Sequence, residues 1–553
     1  MQPGIRHCDP RCAEVDAVAE RGIRMTDVHE LSTDVLVIGG GPAATWAALR
    51  AARAGADVML ADKGYCGTSG ATASAGTGVW YVPPDPVARE AAIASRADLG
   101  GYLADRRWSE RVLDETYERL NELADQARFP FPVGPDGKQL RNGLQGPEYM
   151  RRMRIRVRRA GVRILDHSPV TELLVDTAGA VAGAAGYRRQ AGESYRVRAG
   201  AVVLATGGCA FQSKALGCDV NTGDGALFAV EAGAELSGME FSNAYGIAPE
   251  GTSVTKTAFY HFATFYRADG SVLEGAGGRN RSPIAAELLR DKVYCRLDQA
   301  DEPARAAMRR AQPNFFLTFD RLGIDPFTEK FPITLIAEGT VRGTGGIRLV
   351  TDECGTSVPG LYAAGDAATR ELICGGFTGG GSHNAAWAIS SGTWAGGGAA
   401  RYALSLGAGA AGRRVTGIGE AGARPEGRRI DYDPRQVVAA VQREVLPYDK
   451  NYLRRGSVLT ESLTVLDALW SEIRESLGGD GAERVRTRQA AAMTAHARWM
   501  YRAALARTET RGMAKRLDFP DQDPGLHHRL ITGGLDRIWV RPEQVAIPAA
   551  VAS

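Results

Sequence analysis

The sequence predicts an α/β protein: a parallel sheet flanked by helices, interrupted by an inserted α+β segment and followed by a helical region. Three features point there. A short buried strand runs into a glycine turn and an alanine-rich helix at "VLVIGGGPAATWAALRAARAGADVMLADK" (35 to 63). A second apolar strand ends in glycines at "AVVLATGG" (201 to 208). The α/β rhythm then lapses between 246 and 342, where aromatics, charges and prolines mix, before "GTGGIRLV" and "VPGLYAAGD" restore it.

In chain order, residues 1–30 lack the apolar stretch of a signal peptide and read as a disordered extension, with Met25 as an alternative start. Val35 to Ile38 form a strand, Pro42 to Ala54 a helix and Asp57 to Ala61 the next strand, a βαβ unit. Residues 108–127 and 148–160 carry helical periodicity, and 162–197 alternates strand-like runs with turns. The Gly, Ala and Arg-rich stretch 405–430 reads as a surface linker. Leu459, Leu463, Leu466, Leu469, Ile473 and Leu477 recur at spacings of three and four, the buried face of an amphipathic helix. The expected division is therefore a nucleotide-binding core at 31–245 and 343–404, a cap at 246–342, a helical domain at 431–515 and a C-terminal extension at 516–553.

Charge and composition exclude several roles. With 67 basic against 64 acidic residues, a net charge of +3, the chain lacks the basic excess that nucleic-acid binding needs. Eight cysteines without a framework of spacings fit reduced thiols in a cytoplasmic protein. Cys8 and Cys12 form a lone C-x3-C, nothing matches the thiolate clusters of iron–sulfur centres, and no metal is expected. No run of eighteen apolar residues predicts membrane insertion.

Gly39-Gly40-Gly41-Pro42-Ala43-Ala44 fits G-x-G-x-x-G/A directly after a strand and at the start of a helix. Gly39 permits the tight turn, Gly41 lets backbone approach a pyrophosphate, and the small Ala44 allows close packing, while the helix N-terminus attracts phosphate charge. Asp62 lies 23 positions beyond Gly39, where an acid grips the adenosine ribose. NAD and FAD share this half-site. The small-residue stretch "CGTSGATASAGTG" (66 to 78), "LATGG", and Asp366 at the end of "VPGLYAAGD" suit a long extended ligand, which selects FAD.

These motifs, with "NTGDGALFAVEAGAELSGMEF" and "ALARTETRGMAKRLDFPDQD", resemble the flavoproteins of succinate dehydrogenase, fumarate reductase, L-aspartate oxidase and adenylylsulfate reductase over roughly residues 33–530. The resemblance implies a Rossmann-like FAD-binding domain of the GR2 type, an inserted capping domain and a C-terminal helical domain. It places Gly39, Gly41, Pro42, Ala43 and Ala44 at the pyrophosphate, Asp62 and Lys63 at the adenosine, and Ser69, Gly70 and Ala71 at the middle of the cofactor. Thr206, Gly207 and Asp224 would line the site, Asp366 would meet the ribityl chain, and Ser382, His383 and Asn384 the pyrimidine edge.

Departures from the family are equally informative. Gly70 stands where covalently flavinylated members carry histidine, so non-covalent FAD is expected. "SNAYGIAP" replaces a His-Pro pair, and Val341, followed by Arg342, replaces a second substrate histidine, so fumarate and succinate are not expected substrates. "LLRDKVYCRLD" resembles the family's Arg-Asp segment, which makes Arg290 either the proton donor and carboxylate ligand or part of a helix-surface ion pair. Lys256, His261 and Arg342 are substrate contacts or solvated residues of the cap, Cys374 is a candidate redox thiol, Cys66 and Cys209 are small packing residues, and His527 and His528 read as surface.

The expected activity is hydride transfer between FAD and a small anionic organic substrate. One dinucleotide half-site and no cysteine cluster predict electron exchange with a separate iron–sulfur, ferredoxin-like protein, and an oligomer remains open. The alternatives are a self-sufficient flavin oxidase or dehydrogenase acting on a specialised metabolite, and a non-catalytic FAD-bound scaffold. Finally, "ELICGGFTGGGSHNAAW" (371 to 387) lacks the Lys-Ser/Thr of a P-loop. Its glycines are predicted to run against the isoalloxazine, with the following helix N-terminus facing the flavin N1–O2 edge.

Overall fold

The computed structural model describes residues 28–134, 136–255, 257–377, 382–407, 412–430 and 433–543. Most of the expected N-terminal extension, Lys256, the glycines at 379–381 and the last residues of the C-terminal extension lie outside them.

The first strand, His29–Ile38, is longer than its apolar run and pairs in parallel with Glu193–Leu204 over its whole length. His29 and Glu30, assigned to the extension from sequence, thus belong to the sheet, because backbone pairing with Tyr195 and Arg196 requires no apolar side chain. On its other side lie Val58–Ala61 and then Arg163–Leu165, also parallel. The 12-residue strand Glu193–Leu204 joins two kinds of sheet. Its first half pairs antiparallel with Val181–Arg188, and its last residues pair in parallel with Leu361–Ala363. The antiparallel part continues through Val170–Asp176 to Val415–Gly417.

That edge strand comes from the stretch read as a linker. Arg413 fastens it by an ion pair to Asp176 at 3.1 Å and donates to the carbonyls of Ala199 and Gly200, so edge pairing overrides a loop-like composition.

Two helices cover the parallel half. Pro42–Arg53 opens with proline in its first turn, where the missing N–H costs nothing. It lies against the 24-residue helix Ser382–Ser405 so closely that a Cβ on Gly392 would sit 2.5 Å from the Ala43 carbonyl oxygen and one on Gly396 2.2 Å from that of Ala47. The opposite face of the longer helix packs Trp387 and Trp394 edge-on against Trp108 of Arg106–Asp125, at ring separations of 5.8 and 5.7 Å.

Between 244 and 338 a four-stranded antiparallel sheet runs in the order Ala244–Pro249, Phe331–Glu338, Val293–Arg296, Thr264–Tyr266. It carries its own apolar cluster, with Tyr245, Phe265, Ile284, Phe315, Phe319 and Ile333 all buried. Farther along, Gly456–Ser476 and Gly481–Ala506 form an antiparallel helix pair, and the predicted leucine face from Leu459 to Leu477 is buried. Leu530–Gly533 and Trp539–Pro542, within the expected extension, build a small sheet on Leu236–Ser237 and Gly346–Ile347, returning the C-terminal region to the core.

The helix contact yields a test. Gly396→Val places a branched side chain against backbone that cannot recede, so chemical denaturation should show a loss of about 2–3 kcal/mol with an unchanged m-value.

Candidate active site

A cavity of about 420 Å³ runs along the carboxyl ends of the parallel strands and continues beneath the inserted sheet, where α/β proteins bind ligands. The glycine turn forms one wall. Gly39 has a φ of +127°, and a Cβ there would strike the Ala205 carbonyl oxygen at 2.2 Å, so this turn admits only glycine. Gly41 differs: its φ is −80° and a Cβ would meet nothing within 4 Å, because it faces the open cavity at the start of the helix. That combination suits a pyrophosphate held by backbone N–H groups.

Farther along the cavity, Asp62 is buried at the end of its strand and accepts hydrogen bonds from the Ser69 hydroxyl (2.5 Å) and the Gly64 N–H (3.3 Å). Burial pushes its carboxyl above the usual range, while Ser69, Gly64 and Lys63 pull it back. Lys63 Nζ donates to Asp224 at 2.6 Å and to Thr222 at 2.8 Å, tying the second strand to the start of helix Asp224–Glu231.

Gly39, Gly41, Pro42, Ala43, Asp62, Lys63, Ser69, Gly70, Ala71, Thr206, Gly207, Asp224, Asp366, Ser382 and Asn384 all line this one cavity. Ala44 lies behind the wall, fully buried as the close packing demands. His383 points away: its ring is buried 5.7 Å from that of Phe377, and burial, then Arg96, Arg370 and Arg342, push it down to about 3. Asn384 presents a buried Oδ1 without a hydrogen-bond partner, an acceptor that suits the edge of a heteroaromatic ring.

Two glycines of the run depart from its prediction, while Gly379, Gly380 and Gly381 lie outside the described residues. Neither Gly375 nor Gly376 lines the cavity. A Cβ on Gly375 would meet the Gly100 carbonyl oxygen at 2.4 Å and one on Gly376 the Phe241 ring at 2.6 Å, so these two glycines serve packing between chain segments. Cys374 is likewise away from the cavity, its thiol pushed up to about 12 by burial.

At the cap end the cavity is lined by His261, Arg281, Gln312, Thr255 and Arg342. Arg290 is not among them: it is exposed just beyond helix Ser282–Leu288. Arg281, which immediately precedes that proline-initiated helix, lines the cavity instead. Its Nη1 donates to the Tyr245 carbonyl, its Nε has no partner, and burial together with Arg342 pushes the guanidinium down to about 10, still charged at neutral pH. Arg342 Nη1 pairs with the buried Glu338 carboxylate at 3.0 Å, and Glu338 also accepts from the Thr255 hydroxyl at 2.7 Å. Burial, with Arg279 and Arg281, holds His261 below its ordinary range and neutral at pH 7. The sequence signal for Arg281 was its position before "SPIAAEL", an N1-proline helix start, which fixes where a side chain leaves the loop.

Comparison with known proteins points to the same cofactor. Residues 34–332 match the FAD binding domain family, and residues 449–545 match the fumarate reductase flavoprotein C-terminal family. An L-aspartate oxidase of Streptomyces coelicolor is 28% identical over 540 residues, covering 89% of this chain and 90% of its own. A fumarate reductase flavoprotein subunit of Mycobacterium tuberculosis is 27% identical over 394 residues, covering 61% and 64%. In fold, the chain resembles E. coli quinol fumarate reductase FrdA with a TM-score of 0.79 at 20% identity, covering 94% of this chain and 98% of that one. Adenylylsulfate reductase from Archaeoglobus fulgidus gives 0.74 at 18%, covering 94% and 96%.

The two turn glycines separate folding from cofactor binding. Gly41→Val should leave the apoprotein's melting temperature within about 2 °C while weakening FAD binding at least tenfold in a fluorescence titration. Gly39→Ala should instead destabilise the apoprotein by about 1–3 kcal/mol.

Proposed function

The chain belongs to the flavoprotein family of succinate dehydrogenase, fumarate reductase, L-aspartate oxidase and adenylylsulfate reductase, and on that premise we propose that this FAD-dependent oxidoreductase moves a hydride between its flavin and a small anionic organic substrate. FAD supplies the two-electron chemistry; the protein binds, orients and excludes water. Gly41 and the N-terminus of Pro42–Arg53 would hold the pyrophosphate, Asp62 and Lys63 the adenosine, Ser69 to Ala71 the middle, Asp366 the ribityl chain, and Ser382 with Asn384 the pyrimidine edge. The absence of histidine at position 70 favours non-covalent attachment.

One arrangement carries the substrate's charge. Arg281 and Arg342 converge on the cap end of the cavity, and among the described residues no carboxylate lies within ion-pair distance of Arg281. A desolvated guanidinium with no carboxylate in direct contact gains most from an incoming anion. Arg281 is thus the preferred acid or carboxylate ligand in place of Arg290, with neutral His261 as a hydrogen-bonding neighbour. Neither fumarate nor succinate is the favoured substrate, since the two histidine positions are filled by other residues.

The electron partner is a separate iron–sulfur, ferredoxin-like protein in this reading. The sequence carries one dinucleotide half-site and no thiolate cluster, and relatives are named as subunits of fumarate reductases. Among the described residues no helix is long and apolar enough to cross a membrane. Stopped-flow reoxidation of the photoreduced flavin tests the reading: oxidised ferredoxin should react fastest. Full turnover with O2 or NADPH alone would reject the protein partner, and a flavin inert to every acceptor would mean a scaffold.

The arginines make their own prediction. Arg281→Gln should lower kcat/KM by about 10²–10³, Arg281→Lys less, and Arg290→Gln less than twofold in the same assay.

A further inference from the structure

We propose that Arg370 is a positioning residue that serves both ends of the active site: it neutralises Asp366 beside the cofactor and pins the turn that presents Arg342 to the substrate. Its side chain is 1% exposed. Nη1 forms an ion pair with Asp366, which lines the cavity. Nη2 donates to the carbonyls of Thr340 (3.3 Å), Val341 (3.3 Å) and Gly343. These carbonyls close the single helical turn Gly339–Arg342, whose last residue reaches the cavity. The Arg370 N–H donates to the Thr344 carbonyl at 2.8 Å, so main chain and side chain grip the same segment.

The physical case has two parts. Carbonyls at the end of a helix need donors, and in an interior without water one planar guanidinium can reach several of them in a fixed geometry that an ammonium cannot reproduce. A carboxylate near the flavin opposes the gain of negative charge on reduction unless a cation pairs with it. Arg370 meets both demands with one group. Its charge also acts on His383, between the cavity-lining Ser382 and Asn384, which burial first, and then Arg96, Arg370 and Arg342, hold neutral. The inference rests on the reading above that Asp366 meets the ribityl side of FAD.

The test measures the FAD midpoint potential and dissociation constant of the full-length holoprotein, with deuterium exchange of residues 338–345. The proteins compared are wild type, Arg370→Gln, Arg370→Lys and Arg370→Gln with Asp366→Asn. Arg370→Gln should shift the preference for oxidised over reduced FAD at least tenfold, a fall of about 30 mV for a two-electron couple. The double variant should return that preference to within a factor of two of wild type, because both charges of the pair are gone. Arg370→Lys should keep the potential yet speed exchange in 338–345, and the double variant should show the faster exchange as well. If Arg370→Gln fails to hold FAD, Asp366→Asn alone should shift the preference at least tenfold the other way, toward reduced FAD, and no such shift overturns the inference. An unchanged potential in Arg370→Gln, a double variant no better than the single one, or unchanged exchange overturns the inference. FAD affinity that falls while the potential stays fixed would also overturn it, placing Asp366 at the adenylate. Wild-type apoprotein that bound no FAD would instead overturn the reading of the site itself.

Discussion

Two helices lying backbone against backbone hold this molecule in register. Pro42–Arg53 and Ser382–Ser405 are separated by more than three hundred residues in sequence, yet both begin at the same cavity. Their contact is a pair of small-residue steps, Ala43 and Ala47 facing Gly392 and Gly396, and neither glycine has room for even one methyl group. Close contact fixes their relative position along the axis, so the ends at Gly41 and Ser382 keep a defined separation. Each end presents unpaired N–H groups and partial positive charge. An extended ligand with a phosphate at one place and a ring that gains negative charge at another matches that pair of ends. The sheet beneath sets where the acids Asp62 and Asp366 emerge.

A second constraint is the ionic web that binds the C-terminal region to the core. Arg507 pairs with Glu240 at 2.8 Å and with Glu509 at 2.7 Å, Arg511 pairs with Glu509 at 2.6 Å, and all four side chains are buried. Arg511 also donates to the Gly101 carbonyl and Arg454 to that of Glu240. Glu371, which accepts from the Ser237 hydroxyl at 2.6 Å, feels the same web electrostatically: burial, then Glu240, push its carboxyl up to about 8. Buried pairs of this kind contribute modestly as a whole, but removing one member strands a charge at a cost of about 3–5 kcal/mol. The arginine-rich motif "RTETRG" therefore does structural work here: it fixes Met239–Phe241, immediately before the strand that enters the cap.

Where placement at the cavity depends on backbone conformation close in sequence, the lining residues were legible. Gly39 to Ala43, Asp62, Ser69 to Ala71, Thr206, Asp366, Ser382 and Asn384 sit at strand or helix ends, and a strand followed by small residues dictates such ends locally. The misses have a common cause. Arg281 and Arg290 both flank one short helix and differ only in which end faces the cavity, a matter of how the cap sheet is set. Gly375 and Gly376 resembled ligand-facing glycines, but the surfaces they approach are Gly100 and Phe241, far away in sequence. The supposed linker became an edge strand because Asp176 and the carbonyls of Ala199 and Gly200 offered Arg413 partners that its own neighbours lack.

The amino-acid sequence by itself determined which segments line the cavity and their order along the chain, since steric demands on glycine, helix-end electrostatics and strand periodicity act over a few residues. Tertiary structure alone decided which arginines line the cavity, that Gly375 and Gly376 pack against protein, and that Arg370 spans Asp366 and the 340–343 turn. Those outcomes depend on side chains converging from elements tens to hundreds of residues apart. The free energy of such meetings comes from burial and from pairing of otherwise stranded charges, and neither is specified until the elements have packed.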